Sequence, residues 1–494
     1  MANDSEKLDH LIHGDSSIAP SILKLNAVNN QTSINYFEKE AQQETKLYKS
    51  RWIVLFLFIF YSATSTFQWV EYSIITNIVA RYYGVSSLAV DWTSMSYMLY
   101  YVILVFPGSY FSERIGLRWT TILSCILCCI GSWIKVFSVQ PDRFLMTFIG
   151  QSFVASTQVF LLTTPGRLAA QWFDSDQIST ATSLGLFGNQ LGIAVCFFLV
   201  PIVVKNHVNL DDIGNDLYQL FLAVAVITSV ATLLVLIFFR NEPRLPPSTT
   251  RALQRANHST NKEGFVEPMK RLLANKSFLI LCNSYGLNVG VFNAVGTLLN
   301  QIYLYHFENG EEDAGRLGLA IIVMGMVGSV TFGIILDKTK KFKGTIVTVY
   351  LLTLLGQIMF AIAMWCEVKW MVYVAATFLG IFMSGYFALG YEMCAEYTYP
   401  EAESMATGVL NVANNIYGII MVLVSGILME KYGDLGVHVC LCGVLFVGLI
   451  MTIMTKDETR RQDAQRDSKY RTIGTKDERI LNYEMKIIDK SSEA

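Results

Sequence analysis

The sequence predicts an all-α membrane protein with 12 transmembrane helices arranged in two six-helix halves. The chain has 494 residues, of which 52% are hydrophobic and only 16% are charged, whereas a soluble chain carries roughly a quarter of charged residues. Its apolar residues collect in runs of about 20, the length that crosses a bilayer as a helix. A long polar stretch divides these runs six and six. We therefore expect a lipid bilayer to surround the protein.

The apolar runs fix the predicted span boundaries. The first six spans lie near residues 52–80, 92–112, 119–137, 144–170, 177–204 and 217–239. The second six lie near residues 277–305, 315–336, 344–366, 369–395, 404–429 and 435–455. The resulting organisation is a disordered cytoplasmic N-terminal tail (1–50), an N-terminal half (51–240), a cytoplasmic linker (241–276), a C-terminal half (277–455) and a cytoplasmic C-terminal tail (456–494).

The loop charges predict the orientation. The loops after spans 2, 6 and 8 are rich in lysine and arginine. The loops on the other face hold fewer cations, among them Arg81 and Lys135, and several acids, such as Asp211 and Glu311. Because basic loops stay in the cytoplasm, both termini are predicted to be cytoplasmic. We expect the plasma membrane as the location, with an intracellular organelle membrane as the alternative.

Short motifs recur at a nearly constant offset in the two halves. The paired segments are Ser179–Thr182 with Ser404–Thr407, Asn189-Gln190 with Asn414-Asn415, and Glu113-Arg114 with Asp337-Lys338. Packing of small residues explains the residue types but not their shared offset. Two related six-helix halves that hold a substrate between them are typical of the major facilitator fold.

The loops after spans 2 and 8 resemble the superfamily's signature of glycine, acid and base. A carboxylate near a helix end can pair with nearby cations and so latch the two halves together. The predicted cytoplasmic gate consists of Glu113, Arg114, Arg118, Asp337 and Lys338.

Polar residues inside a span are costly and therefore mark either sites or packing contacts. In span 1, the spacing predicts that Trp69, Tyr72 and Ser73 share one helix face. Glu71 points elsewhere and is a possible titratable group, and the other intramembrane charges that we identify are Arg167, Glu392 and Glu396. The sequence shows no chain of acids and histidines suited to a proton relay, which favours facilitated diffusion.

Other candidate substrate contacts are aromatic, thioether or amide side chains. They are Tyr97, Met98, Gln158, Asn189, Gln190, Asn293 and Asn415. A buried amide more often makes an interhelical hydrogen bond than a ligand contact, and a tryptophan such as Trp69 can equally be a packed core residue. A neutral cavity with aromatic and amide walls suits a compact organic cation, which aromatic faces bind by cation–π attraction.

Several segments resemble the feline leukaemia virus subgroup C receptor-related family. They are Phe67–Trp69, Tyr72–Ile75, Asp91-Trp92, Ser94-Met95, Tyr97–Leu99, Gly150-Gln151, Gln158–Phe160, Gly188–Gly192, Thr297–Gln301 and Thr398–Glu401. The resemblance implies a transporter of choline and ethanolamine, in a family earlier described as haem exporters. It assigns a cation-cage role to Trp69 and substrate contacts to Tyr97, Met98, Gln158, Asn189 and Gln190.

Three positions depart from the family pattern. Asn293 replaces a tyrosine, Asn415 replaces a glutamine and Glu71 replaces a glutamine. The first change removes one aromatic wall of the cation cage, which would weaken cation–π binding by about 0.5–2 kcal/mol. The substrate site of this chain is therefore expected to differ in part from that of the family.

The leading functional hypothesis is a uniporter of choline, and also of ethanolamine, that works by alternating access. Haem export is the alternative. Haem is usually held by histidine or cysteine ligands. His306 and His438 lie toward the outer face and His10 and His13 lie in the N-terminal tail, which disfavours a ligated haem site in the middle of the membrane. A non-transporting receptor or regulator is a third hypothesis.

We expect no enzyme activity, cofactor or metal site. The net charge of −2 gives no reason to expect a nucleic-acid partner, and a monomer is expected.

Overall fold

The computed structural model describes residues 46–174, 177–243, 245–247, 266–339, 342–401, 403–455 and 460–461. Most of the predicted tails and of the linker lie outside these residues. A short helix at the end of the linker, Val266–Ala274, leads into the second half.

The described residues contain 11 helical stretches that are long and apolar enough to cross a membrane. In the N-terminal half they are α1 Ser50–Tyr83, α2 Ser87–Ser112, α3 Arg114–Phe137, α4 Phe144–Trp172, α5 Thr180–Val203 and α6 Leu210–Phe238. In the C-terminal half they are α7 Lys276–His306, α8 Glu311–Leu336, α9 Phe342–Trp365, α10 Lys369–Thr398 and α11 Met405–Met454.

The last stretch, α11, has 50 residues, more than twice the roughly 20 that one span needs. It breaks at Gly433, whose φ of 69° is a left-handed conformation that glycine adopts without steric cost. The predicted count of 12 spans stays a prediction, and this break supports it because it divides α11 into two lengths that could each cross a membrane.

Two other spans are interrupted. In α1, an α-helix ends at Val70, a 3-10 helix covers Ser73–Ile75, and a second α-helix covers Thr76–Tyr83. In α4, the helix Phe144–Ala155 is followed, after a short break, by the helix Gln158–Trp172.

Some helices begin earlier than the apolar runs predict. For example, α6 begins at Leu210 rather than at 217, and its first turn carries Asp211 and Asp212. Carboxylates in the first turn interact favourably with the helix dipole. They also lower the local hydropathy, so a span boundary predicted from apolar residues alone falls after the true start of the helix.

The two halves repeat the same local packing. In the first half, the Cα of Gly188 in α5 lies so close to α1 that an added Cβ would stand 3.0 Å from the Ile59 carbonyl oxygen. In the second half, Gly290 of α7 approaches the Tyr417 carbonyl of α11 in the same way, at 3.1 Å. The two helix pairs, α1 with α5 and α7 with α11, occupy equivalent places in the predicted repeat, although the glycine belongs to the fifth helix in one half and to the first helix in the other.

The repeated threonines also make equivalent bonds. Thr182 donates its hydroxyl to the Ile178 carbonyl, and Thr407 donates its hydroxyl to the Glu403 carbonyl, both at 2.9 Å.

The halves meet where α5 packs on α8 and α2 packs on α11. On the face opposite the start of α1, polar side chains also join them. Gln301 of α7 donates to Asp91 of α2, and Glu311 of α8 accepts from Asn77 and Asn206. In this structure the two halves are therefore closed on that face.

Candidate functional site

A small, partly open cavity lies between the two halves, with a volume of about 20 Å³. Its walls come from α1, α5, α7, α8 and α10, and they carry no charged side chain among the residues that line it. A cavity of this size has room for about one water molecule. An organic cation would need a conformation in which the halves stand farther apart.

Trp69 is the predicted site residue that lines this cavity. It lies in the last turn of the first α-helix of α1, two residues before the C-cap residue Glu71. Its side chain is only half-buried, and its carbonyl accepts a hydrogen bond from the Ser94 hydroxyl at 2.9 Å. The break in α1 therefore follows directly after the residue that faces the other half.

Two further aromatic rings line the cavity, and the sequence interpretation missed them. They are Phe197 of α5 and Phe292 of α7. The Phe292 ring packs edge-on against Phe387 at a centroid distance of 5.1 Å. Asn293 drew attention because it replaces a family tyrosine, yet its neighbour Phe292 supplies an aromatic wall here.

Met98 and Asn293 meet at the interface of the two halves. A Cβ added to Gly418 of α11 would lie 2.7 Å from the Met98 sulfur and 2.8 Å from the Asn293 amide nitrogen. Both side chains are almost fully buried. Helices α2, α7 and α11 thus meet at Gly418, which has no side chain and so lets Met98 and Asn293 approach α11 closely.

The predicted amides Asn189 and Asn415 make bonds within the protein. Asn189 accepts a hydrogen bond from Ser62 of α1 through its side chain. Asn415 donates to the Asn411 carbonyl at 2.7 Å and to the Asn414 side chain at 2.9 Å. Asn411 also accepts from the Tyr391 hydroxyl at 2.9 Å. This amide cluster, which the sequence did not identify in full, holds α11 against α10.

Tyr97 and Gln158 carry buried polar atoms that have no hydrogen-bond partner within the described part of the chain. Gln190 is half-buried. None of the three lines the cavity, so their roles as substrate contacts stay predictions.

Glu71 forms an ion pair that the sequence interpretation did not foresee. Its carboxylate binds the ammonium of Lys135, and both side chains are no more than 1% exposed. Lys135 had been counted as a loop cation, and this assignment was wrong. Near the end of α3 its ammonium reaches back between α1 and α4, where it also donates to Gln151 at 3.1 Å. Without Lys135, the predicted difference in charge between the two faces becomes larger.

Asp91 is a further acidic residue within a span. The sequence interpretation did not count it among the intramembrane charges, although it belongs to a segment that resembles the family. Its side chain is 0% exposed. The amide of Gln301, from the opposite half, donates to both of its oxygens.

Trp69, Tyr72 and Ser73, which the spacing predicts on one helix face, contact different parts of the protein. The Tyr72 ring packs against Phe221 of α6 at 5.6 Å. Ser73 hydrogen-bonds to Ser94 of α2 at 2.5 Å.

The predicted gate residues lie around the loop between α2 and α3 and at the end of α8. Arg114 is exposed and stacks on Tyr110 at 4.8 Å. The backbone amide of Arg118 donates to Asn241 at 3.2 Å, and Lys338 is exposed. The side chains of Glu113 and Asp337 lie outside the part that the structure describes. The cytoplasmic gate therefore stays a prediction.

Comparison with known proteins decides the family. The sequence profile described as Major Facilitator Superfamily matches residues 53–376 and 347–480. The chain is 42% identical to the choline/ethanolamine transporter flvcr2b of Danio rerio, over 88% of this chain and 90% of that relative. It is 37% identical to the choline/ethanolamine transporter FLVCR2 of Homo sapiens, over 86% of this chain and 80% of the relative.

The chain belongs to the feline leukaemia virus subgroup C receptor-related family of the major facilitator superfamily. Solved structures agree on the fold of this family member. A D-xylose-proton symporter superposes with a TM-score of 0.67 at 11% identity, covering 82% of this chain and 98% of the symporter. The fucose:proton symporter of E. coli gives 0.58 at 14% identity, covering 83% of this chain and 100% of the symporter.

The predictions of the family and of the all-α major facilitator fold are thereby confirmed, while the count of 12 spans stays a prediction. This member of the receptor-related family is a multi-pass membrane transporter and not an enzyme.

Proposed function

We propose that this chain is a uniporter that carries choline, and also ethanolamine, across the membrane by alternating access. The observation that carries the proposal is the place of Trp69. Trp69 lines the cavity between the two halves of a transporter, and relatives at 37–42% identity are named choline/ethanolamine transporters.

The chemistry of the cavity wall supports a cation that cannot donate a strong hydrogen bond. A quaternary ammonium is held best by aromatic faces, of which tryptophan is the strongest, and such contacts gain strength when water is excluded. Phe197 and Phe292 line the same cavity as Trp69 and add aromatic residues to its wall. The polar end of the substrate would use the predicted amides Gln158, Gln190, Asn293 and Asn415.

Uniport is supported by the way in which the two buried acids of the N-terminal half are bound. Glu71 is paired with Lys135 of α3, and Asp91 is held by Gln301. A proton-coupled carrier needs an acid that gains and loses its proton as the substrate moves. Neither acid lines the cavity.

We also propose the plasma membrane as the location and a cytoplasmic position for both termini. The basic loops and linker support this orientation under the positive-inside rule, and the burial of Lys135 removes one cation from the opposite face.

The test is uptake of labelled choline by cells that lack their own choline carriers. Wild type is compared with Trp69→Phe and Trp69→Leu at matched surface amounts. Saturable uptake that is unchanged by sodium replacement or a protonophore, weakened in the phenylalanine variant and lost in the leucine variant, would support the proposal. Leucine removes the aromatic face while keeping an apolar side chain.

Absence of choline and ethanolamine uptake by surface-exposed wild type would refute the proposed substrate. The same cells would then be assayed for haem release. We do not propose haem export, because the histidines near the spans are already hydrogen-bonded within the protein. His306 is hydrogen-bonded to Asp434 and Glu367, and His438 is hydrogen-bonded to Gln357. These histidines are engaged within the C-terminal half, away from the cavity wall.

A further inference from the structure

The break in α1 creates a specific need for hydrogen bonds. The first α-helix ends at Val70, and carbonyls in the last turn of a helix have no intrahelical partner. Gln68 and Trp69 both belong to that turn. Inside a membrane such groups must be satisfied by other parts of the protein.

Side chains from two neighbouring helices bind these two carbonyls. The Gln151 amide of α4 donates to the Gln68 carbonyl at 2.7 Å. The Ser94 hydroxyl of α2 lies 2.9 Å from the Trp69 carbonyl oxygen and 2.5 Å from the Ser73 hydroxyl. The chain on both sides of the break is therefore tied to α2 and α4.

Lys135 fixes the direction of the Gln151 amide. A lysine ammonium has only donors, so it must bind the oxygen of that amide, and it does so at 3.1 Å. The amide nitrogen is then left to face the α1 carbonyl. Glu71 balances the buried charge of Lys135, and all four side chains, including Ser94, are at most 1% exposed.

We propose that Gln151, Lys135 and Ser94 are positioning residues that hold the break in α1, so that Trp69 presents its indole to the cavity between the halves. The inference concerns the geometry of Trp69, and its consequence for choline rests on the proposed function. The two side-chain bonds fall on the carbonyls of Trp69 and of its neighbour Gln68.

The first test needs no substrate. The fluorescence emission of Trp69 is isolated by subtracting the Trp69→Phe spectrum from that of the parent, in purified wild type and in the Gln151→Leu variant. Ser94→Ala is examined in the same way, in case the leucine variant does not fold. The expected result is a shifted or differently quenched Trp69 component in both variants.

The matched control is Thr147→Val. Thr147 lies one turn from Gln151 on α4, is 0% exposed and hydrogen-bonds to Ser138 at 2.6 Å, but it does not touch the break. Its Trp69 component should equal that of wild type. Identical Trp69 spectra in wild type, Gln151→Leu and Ser94→Ala would overturn the inference.

The second test separates positioning from general damage in transport. Gln151→Leu is expected to raise the KM for choline roughly 3- to 30-fold, the range of a weakened cation–π contact. The maximal rate per surface molecule should change by less than about twofold. A fall in maximal rate with an unchanged KM would count against positioning. If wild type carries no choline, the proposed function fails while the fluorescence result still decides this inference.

Discussion

The Gln301 amide of α7 reaches across the interface of the two halves and donates to Asp91 of α2, at 2.9 Å to one oxygen and 3.2 Å to the other. Asp91 is fully buried. On the same face Glu311 accepts hydrogen bonds from Asn77 and Asn206. Transport by alternating access requires these contacts to separate, so they contribute to the stability of the closed state.

Replacing Gln301 with leucine should favour opening of this face. A hydrogen bond to a charged group contributes about 1.5–3 kcal/mol, so the open population should rise roughly 10-fold or more. The measurement is labelling of a cysteine placed at the cavity residue Val295 by a membrane-impermeant thiol reagent. It uses a Cys366→Ser background, because Cys366 is exposed.

The control for this experiment is Tyr373→Phe, which removes a hydrogen bond to the Asp313 carbonyl within the C-terminal half. Labelling in the control should match the parent. If Gln301→Leu is labelled no faster than the control, the Asp91–Gln301 contact does not hold the face closed.

The buried pair of Glu71 and Lys135 should behave as a unit. Removing one partner leaves an unbalanced charge, which typically costs about 3–5 kcal/mol, while removing both is often close to neutral. Thermal melting in detergent should therefore show a large destabilisation for Glu71→Gln or Lys135→Met. The double variant should melt closer to wild type than either single variant.

Lys369→Met provides the comparison, because Lys369 pairs with Asp313 at 2.7 Å while its side chain is 58% exposed. An exposed pair contributes only about 0–1 kcal/mol. Equal losses at Lys135 and Lys369 would show that burial of the first pair has no energetic consequence.

Gly418→Ala should slow transport. The added methyl group would stand within 3 Å of the Met98 sulfur and the Asn293 amide, and overpacking of this kind costs roughly 1–3 kcal/mol. Gly408→Ala, on the same helix, meets nothing within 4 Å and is the matched control. Uptake rates of the two variants at equal surface amounts give the result. Met98→Ala should restore part of the loss by making room, and no difference between the glycine variants would contradict this packing.

Phe292→Leu should weaken apparent affinity for choline. Phe292 lines the cavity with Trp69. Loss of one aromatic face should weaken cation–π binding by about 0.5–1 kcal/mol, which corresponds to a KM increase of roughly 2- to 5-fold. Phe360→Leu removes a fully buried ring of α9 that does not line the cavity. Its KM should stay at the wild-type value. A similar rise in both variants would indicate general loosening instead.

The sequence by itself determined the membrane fold and the division into halves. Runs such as residues 119–137 are long and apolar enough to cross a bilayer, and this requirement is local. The repeat of Thr182 and Thr407 was also visible, since duplicated helices keep the same residues at the same offset. Trp69 stood out because a tryptophan in the middle of a span is away from the membrane interface, where this residue is usually enriched.

Only the tertiary structure decided what the polar residues contact. Lys135 was taken for a loop residue because it lies near the end of an apolar run, and its pairing with Glu71 depends on how α1, α3 and α4 meet. Phe292 gave no signal, since a phenylalanine in a span is ordinary. Trp69 lines the cavity while Tyr72 packs against Phe221, and helical periodicity cannot show which neighbour each side chain meets. Contacts between helices distant in sequence are set by packing of the whole bundle, so residue type and spacing could suggest these side chains but could not give their partners.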